Sequence, residues 1–141
     1  MTDTDKRAYM VGDVRVFPGG VRAPVKVALA DAATAGGVAA IANPFGAAAY
    51  ITRIVVSVTT VATAAATIDA GVAADDETLS DDLIDGLDVN AATGLFDNIV
   101  NAGTNGKALQ PWGASEYVTI SEASGDVSDL EGYVYIHATP Q

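Results

Sequence analysis

The stretch YITRIVVSVTT, residues 50–60, decides the fold class of this chain of 141 residues. β-Branched side chains dominate it, and such side chains favour the pleated surface of a β-sheet. Because successive side chains of a strand point to opposite faces, we expect Ile54, Val56 and Val58 to share one face. The other face then carries Ile51, Arg53, Val55 and Ser57.

Shorter stretches of the same character flank this strand. They are residues 8–17, 21–30, 67–72, 107–112, 117–121 and 132–138. Turn-forming clusters such as Pro18-Gly19-Gly20 and Asn43-Pro44-Phe45-Gly46 separate them. Residues 61–66 are typical of a hairpin-type connection, and residues 31–42 are compatible with a short helix. Seven or eight short strands without a long helix predict an all-β fold, a β-sandwich or jelly roll, over residues 21–141.

The charge is unevenly distributed along the chain. Residues 1–26 hold five basic side chains against three acidic ones, a net charge of +2. The other residues hold fifteen acids against Arg53 and Lys107, a net charge of −13, which gives −11 for the whole chain. We therefore predict that residues 1–20 form an extended N-terminal arm that binds an acidic surface, and another copy of the body is the nearest candidate. The predicted partner-binding residues in and beside the arm are Lys6, Arg7, Tyr9, Arg15 and Arg22.

Composition excludes several classes of function. The chain has no cysteine, so it has neither disulfides nor thiolate metal sites. Its acidity disfavours nucleic-acid binding, because phosphates would repel it. The most apolar stretch, residues 51–58, is too short to span a bilayer, so we predict no membrane partner. The first ten residues contain no apolar run typical of a signal peptide, and we expect assembly in the cytoplasm.

An acidic run over residues 75–88 is the main candidate for metal chemistry. Hard cations such as Ca²⁺ take carboxylate oxygens, and Asp81, Asp82 and Asp85 form a local cluster. The spacing is not that of an EF-hand, so the three are weak candidates. A solvated loop, or a receptor for a neighbour's basic arm, is the alternative interpretation. No cofactor and no bound metal are predicted.

Nothing in the sequence marks a catalytic centre. His137, the single histidine, is predicted to be a surface or subunit-contact residue. Residues 103–107 resemble a phosphate loop only superficially, because Ala108 follows the lysine. Trp112 and Tyr117 are either a sugar-stacking platform or core and interface residues. Paired carboxylates of a glycoside hydrolase are not indicated, and we predict that the chain is not an enzyme.

The remaining apolar positions have simpler interpretations. Leu95, Phe96, Ile99 and Val100 are predicted to anchor a region rich in Asn, Ala and Gly. Residues 132–138 form the closing strand, with Val134 and Ile136 facing inwards. Tyr133 and Tyr135 then face the other way, and we predict that they bind a partner.

Three parts of the sequence carry a resemblance to a known family. They are NPF at 43–45 with the strand at 50–60, LIDGLDV at 83–89 with GLFDN at 94–98, and WG at 112–113 with EYVTI at 116–120 and LEGYVYI at 130–136. In content and order they resemble small structural proteins of tailed bacteriophages, the capsid decoration (cement) proteins with a jelly-roll-like body. The resemblance covers about residues 40–138.

The resemblance implies a structural protein on the exterior of a virion capsid. Such proteins usually form trimers, bind where several copies of the major capsid protein meet, and stabilise the lattice against internal pressure. A homotrimer and the major capsid protein are therefore the expected partners. The alternatives from other classes are a tail-tube or head–tail joining protein and a carbohydrate-binding module on the virion.

Overall fold

A computed structural model describes residues 9–11, 14–16, 24–29 and 37–141, and for the first two ranges it describes the backbone only. The strands are β1 (Tyr9–Val11), β2 (Val14–Val16), β3 (Val25–Ala28), β4 (Ala39–Ala42), β5 (Ala49–Thr60), β6 (Ala66–Ala73), β7 (Ile84–Asp88), β8 (Gly94–Asp97), β9 (Gln110–Trp112), β10 (Tyr117–Gly125) and β11 (Glu131–Pro140). These ranges contain no helix, and so none that is long and apolar enough to cross a membrane.

Two antiparallel sheets pack face to face. The smaller sheet has the strand order β4-β10-β6-β7, and the larger sheet has the order β3-β11-β5-β8, with β9 beside β8 along β5. Consecutive strands from β3 to β11 alternate between the sheets, except that β6 and β7 share the smaller sheet and β8 and β9 the larger one. This is the strand order of a jelly roll, so the predicted all-β sandwich is confirmed.

The core lies between the sheets and is built mainly of small branched side chains. Its largest fully buried members are Trp112, Ile51, Ile54, Ile68, Leu83, Ile84, Ile120 and Ile136. The Phe45 ring meets the Trp112 ring edge to face, with centroids 6.1 Å apart. The Trp112 indole N–H donates to the Glu116 carbonyl oxygen at 3.1 Å, so its one polar atom is paired.

The predicted strand over residues 50–60 is confirmed as β5, but one of its faces differs from the prediction. Ile51 is buried together with Ile54, although strict alternation would place it on the other side. The register explains this, because Arg53 pairs with His137 while Ile51 pairs with the next residue, Ala138. An extra residue in β5 forms a bulge that reverses the alternation, so both isoleucines reach the core.

Several local predictions are wrong. Residues 61–66 connect strands of different sheets and do not form a hairpin. Residues 39–42 are a strand where a short helix was expected, and residues 31–36 of that segment lie outside the described residues. Residues 84–88, predicted as loop, form β7. The single strand expected over residues 8–17 is instead the pair β1 and β2, in which Tyr9 pairs with Val16.

The outer edge of β7 is covered by the connection between β8 and β9. The Asp85 N–H donates to the Ala102 carbonyl at 2.9 Å, and the Lys107 N–H donates to the Asp82 carbonyl at 3.0 Å. A Cβ on Gly103 would overlap the Asp85 carbonyl oxygen, and Gly103 has a φ of 73°. Glycine at 103 meets both demands, because it adopts positive φ readily and has no Cβ. The close approach protects an edge that would otherwise be open to pairing.

Candidate interaction surfaces

The outer face of the larger sheet is an open surface that combines aromatic, aliphatic and cationic side chains. We call it the tyrosine face and define it by Lys26, Arg53, Val55, Leu95, Asp97, Tyr133, Tyr135 and His137. The strand registers place these residues in adjacent rows: Tyr133 lies beside Ser57, which pairs with Leu95. Tyr135 lies between Lys26 and Val55 in the next row.

The two tyrosines form the centre of this face together with Lys26. Their ring centroids lie 6.5 Å apart, and the Lys26 ammonium lies 4.3 Å from the centroid of Tyr133 and 5.7 Å from that of Tyr135. A cation over an aromatic ring is held by the ring quadrupole. Tyr133 and Tyr135 therefore lie on the outer face, as their alternation predicted. That they bind a partner stays a prediction.

An ion pair marks the β8 side of the tyrosine face. The Arg53 guanidinium lies 2.7 Å from the Asp97 carboxylate. The pKa of Asp97 is lowered first by the N–H of Val100, which donates to the carboxylate, and then by Arg53. His137 pairs with Arg53 across the strands, and burial, followed by the charge of Arg53, lowers the pKa of its imidazole below 6.5. The face thus presents Lys26 and Arg53 against one carboxylate at neutral pH.

The outer face of the smaller sheet is different, because the chain itself covers it. Residues 74–83, here called the covering segment, follow β6 and fold back over β6 and β10. The Thr119 hydroxyl donates to the Thr78 carbonyl at 3.1 Å, and both Thr119 and Ser121 are buried although they point away from the core. A Cβ on Gly71 would overlap the Ser80 hydroxyl oxygen, so this close approach needs glycine.

The predicted metal candidates take part in structural hydrogen bonds. The Asp82 carboxylate accepts from the Val72 N–H at 2.9 Å, and burial raises its pKa. The Asp81 carboxylate accepts from the Asn105 side chain at 2.8 Å, and the Asp85 carboxylate accepts from the Asn105 N–H at 3.2 Å. Among the described residues, no group of three or more His, Cys, Asp or Glu side chains could hold a metal ion. The three candidates gain no support as a metal site.

Nearby, Asp69 is another carboxylate of the smaller sheet. It accepts from the Gly86 N–H at 2.8 Å. Burial raises its pKa, and the charges of Asp85 and Asp81 raise it further. These carboxylates therefore crowd one side of the smaller sheet, which carries much of the negative charge of the body.

One of the two rings of the predicted sugar-stacking platform is buried. Trp112 is 0% exposed, and Tyr117 is half-buried at the start of β10. Stacking on a sugar needs an accessible ring face, which Trp112 does not offer. The interpretation of Trp112 as a core residue is therefore the one that the structure supports.

Three of the four predicted anchors of residues 90–106 are on the surface. Leu95, Ile99 and Val100 are exposed, and only Phe96 packs against the core. The buried residue of this region is polar: Asn98 accepts from the Ile54 N–H at 2.9 Å and donates to the Lys107 carbonyl at 2.8 Å. Asn98 thus fills the gap between β8 and β9. The Asp97-Asn98 pair was the sequence signal for this turn, since both side chains readily bond to nearby backbone.

The arm residues are only partly within the described ranges. Tyr9 belongs to β1 and Arg15 to β2, where Arg15 pairs with Met10. Lys6, Arg7 and Arg22 lie outside the described residues. The predicted role of the arm stays a prediction.

Comparison with known proteins identifies no relative. No family model matches the sequence, no curated protein matches it, and no solved structure matches the fold. The residues and surfaces described above are therefore the only basis for assigning a function to this chain.

Proposed function

We propose that this chain is a structural subunit that binds other protein subunits through its tyrosine face, and that it is a capsid decoration protein of a tailed bacteriophage. In this proposal it coats the exterior of the virion head as a homotrimer and stabilises the lattice of the major capsid protein. The virion assignment rests on the sequence resemblance. The binding role rests on the distribution of exposed side chains.

One observation carries the proposal. Seven large apolar side chains are exposed in the described part of the body, and six of them belong to the larger sheet or to the β8–β9 connection. They are Tyr50, Leu95, Ile99, Val100, Leu109 and Tyr133. Leu79, in the covering segment, is the seventh. Leu95 and Tyr133 belong to the tyrosine face, and exposed apolar side chains that share a face are typical of a protein interaction site.

Charge supports the same surface. The described body contains three basic side chains, and two of them, Lys26 and Arg53, belong to the tyrosine face. Tyrosine and arginine are enriched in protein interfaces, where tyrosine provides a large contact area with few rotatable bonds and arginine provides several hydrogen-bond donors. The acidic residues elsewhere would keep a densely coated particle soluble.

The carboxylates of the smaller sheet do not favour an enzyme as the alternative. Asp69, Asp81, Asp82 and Asp85 each accept hydrogen bonds from the chain itself. A general acid would need a buried carboxyl group beside an open substrate cleft. The contacts seen here are those of side chains that fix loops.

The experiment is addition of the purified protein to expanded phage heads that lack decoration protein. We expect saturable binding and a higher melting temperature of the heads. The double variant Lys26→Ala, Tyr133→Ala should lose occupancy, because it removes the cation–π pair from the centre of the face. Leu79→Ala is the matched control, since Leu79 is exposed on the covering segment.

Two results would overturn the proposal. The first is wild-type protein that does not bind any head. The second is a double variant that binds as well as Leu79→Ala. Deleting residues 1–20 tests the arm separately, and unchanged occupancy would remove the arm from the mechanism.

A further inference from the structure

A stiff apolar projection stands at the end of β8. Ile99 is 60% exposed and Val100 is 81% exposed. The Asp97 carboxylate accepts from both of their N–H groups, at 2.9 and 2.8 Å. The Asn101 N–H closes the turn on the Asp97 carbonyl at 2.9 Å. We call Ile99–Val100 the aliphatic turn; because its backbone is already fixed, binding through it costs little conformational entropy.

A pocket lies directly beside the aliphatic turn. It has a volume of about 350 Å³, opens between β7 and β8, and has Leu87, Ala91, Ala92 and Phe96 as its apolar lining. Asn101, the residue after the turn, also lines it. A cavity of about 150 Å³ can hold a benzene molecule. This β7–β8 pocket therefore has room for the side chains of an isoleucine and a valine together.

The exposure of the turn shows that it does not fill the pocket of its own chain. Projection and pocket are both partly apolar, and both remain open within one copy. Two adjacent exposed aliphatic side chains next to an apolar pocket form a contiguous patch of the kind that marks an interaction site. A second copy supplies a pocket for the turn of the first copy and a turn for its pocket.

Charge favours a second copy as the occupant. Asp85 and Asp88 line the β7–β8 pocket. The connection that follows the aliphatic turn carries Lys107, the one basic side chain of the described body outside the tyrosine face. Copies that carry −11 each repel one another, so contact between them needs such local attraction.

We propose that the aliphatic turn of one copy inserts into the β7–β8 pocket of a second copy, with Lys107 of the first near Asp85 and Asp88 of the second. The inference rests on the proposed function for the expectation of a homo-oligomer and for nothing else. Because projection and pocket lie side by side, the contact forms either reciprocally across a two-fold axis or head to tail around a ring whose rotation closes, and both arrangements give a closed oligomer.

The test uses one variant for each half of the contact. Val100→Asp places a charge on the projection, and Ala92→Trp fills the pocket. Each position is exposed, so both variants should fold, as circular dichroism and thermal melting would verify. Leu79→Asp adds the same charge at an exposed apolar site of the covering segment and is the control. Native mass spectrometry and light scattering after gel filtration give the oligomeric state.

We expect a closed oligomer for the wild type and for Leu79→Asp. Val100→Asp and Ala92→Trp should each weaken association by roughly 30-fold or more, a loss typical of an interface hot spot. Mixed together they should form a one-to-one pair, since Ala92→Trp keeps its projection and Val100→Asp keeps its pocket. A monomeric wild type, variants that assemble normally, or a mixture that forms no pair would each overturn the inference.

Head binding separates this inference from the proposed function. If the wild type assembles through the turn but does not bind phage heads, the proposed function fails and the contact stands. If heads are coated equally by the wild type and by Val100→Asp while the free protein is always monomeric, the contact fails and the proposed function stands.

Discussion

The two outer faces of this sandwich differ in whether the chain itself covers them. The face of the smaller sheet is covered by residues 74–83 of the same chain, where the buried Thr119 donates its hydroxyl to the Thr78 carbonyl. The face of the larger sheet has no such cover among the described residues and exposes Tyr133 and Leu95. The side chains on the outer face of β6 and β10 are therefore not available to a partner. The comparison therefore directs the search for partners to the larger sheet.

The reason for the difference lies in the central strands. Gly71, at the middle of the smaller sheet, has no side chain, so Ser80 and Asp82 can lie against its backbone. The equivalent region of β5 carries Val55 and Ser57 beside two tyrosines, which hold any covering chain away from the backbone. The missing side chain at Gly71 thus allows the covering segment to lie against the smaller sheet.

The largest expected effect comes from giving the smaller sheet the missing side chain. Gly71→Val should destabilise the protein by about 3 kcal/mol, because its Cβ overlaps Ser80 and approaches Asp82. Urea unfolding measures this. Ser57→Val, on the open face, is the control and should change the free energy of unfolding by less than about 0.5 kcal/mol. Equal losses for the two variants would show that the covering segment is not held as described.

A second substitution tests the buried polar residue beside the open face. Asn98→Ala leaves the Ile54 N–H and the Lys107 carbonyl without their partner. Each unpaired buried group costs about 1–3 kcal/mol, so we expect a loss of about 3 kcal/mol in urea unfolding. Asn105→Ala removes an exposed amide of the same connection and should cost far less. A small loss for Asn98→Ala would mean that water replaces the side chain.

Periodicity predicted the fold well where strands alternate regularly. The β-branched run of β5, the inward Val134 and Ile136, and the outward tyrosines all follow from side chains that alternate every second residue. The prediction failed at Ile51, where a bulge reverses the alternation. The bulge depends on how β5 pairs with β11, and the sequence of β5 alone does not show that pairing.

The candidate surfaces were less predictable. Tyr133 and Tyr135 were identified from the sequence, but Leu95, Ile99 and Val100 were assigned to the interior because they are apolar. Burial depends on which polar group already fills the available space, and here Asn98 does so. The sequence also gave no sign that residues 74–83 would cover one sheet, since acidic residues usually lie in water.

A third prediction compares the hydroxyl of Thr119, which lies beneath the covering segment, with the exposed hydroxyl of Thr59. Thr119→Val keeps the shape of the side chain but loses the hydrogen bond to the Thr78 carbonyl beneath the covering segment. We expect a loss of about 1 kcal/mol, measured by thermal or urea unfolding. Thr59→Val, at an exposed site of β5, should change little. If Thr119→Val were neutral, the segment would not need this bond to stay in place.

The smallest effect is a difference in pH dependence between the two faces. The pKa of Asp97 lies below 3.8 in the folded state, so its ionised form stabilises the fold above pH 3.8, and this contribution is lost as the pH falls through the folded pKa. The pKa of Asp82 lies above 3.8, so its ionised form destabilises the fold at neutral pH, and acid relieves this cost.

Replacing each carboxylate by its amide should therefore give effects of opposite sign. Asp97→Asn should lower the free energy of unfolding at pH 7, and its difference from the wild type should shrink below pH 3.8. Asp82→Asn can still accept from the Val72 N–H, so it should raise the free energy of unfolding at pH 7 and lose that gain as the pH approaches 3.8. Both changes should stay below about 1 kcal/mol, because the two groups are partly solvated. Urea unfolding between pH 3 and pH 7 measures them. Changes of the same sign in the free energy of unfolding would contradict this prediction. They would mean that ionisation of Asp82 and ionisation of Asp97 affect the stability of the fold in the same way, so that the covered and open faces do not differ electrostatically.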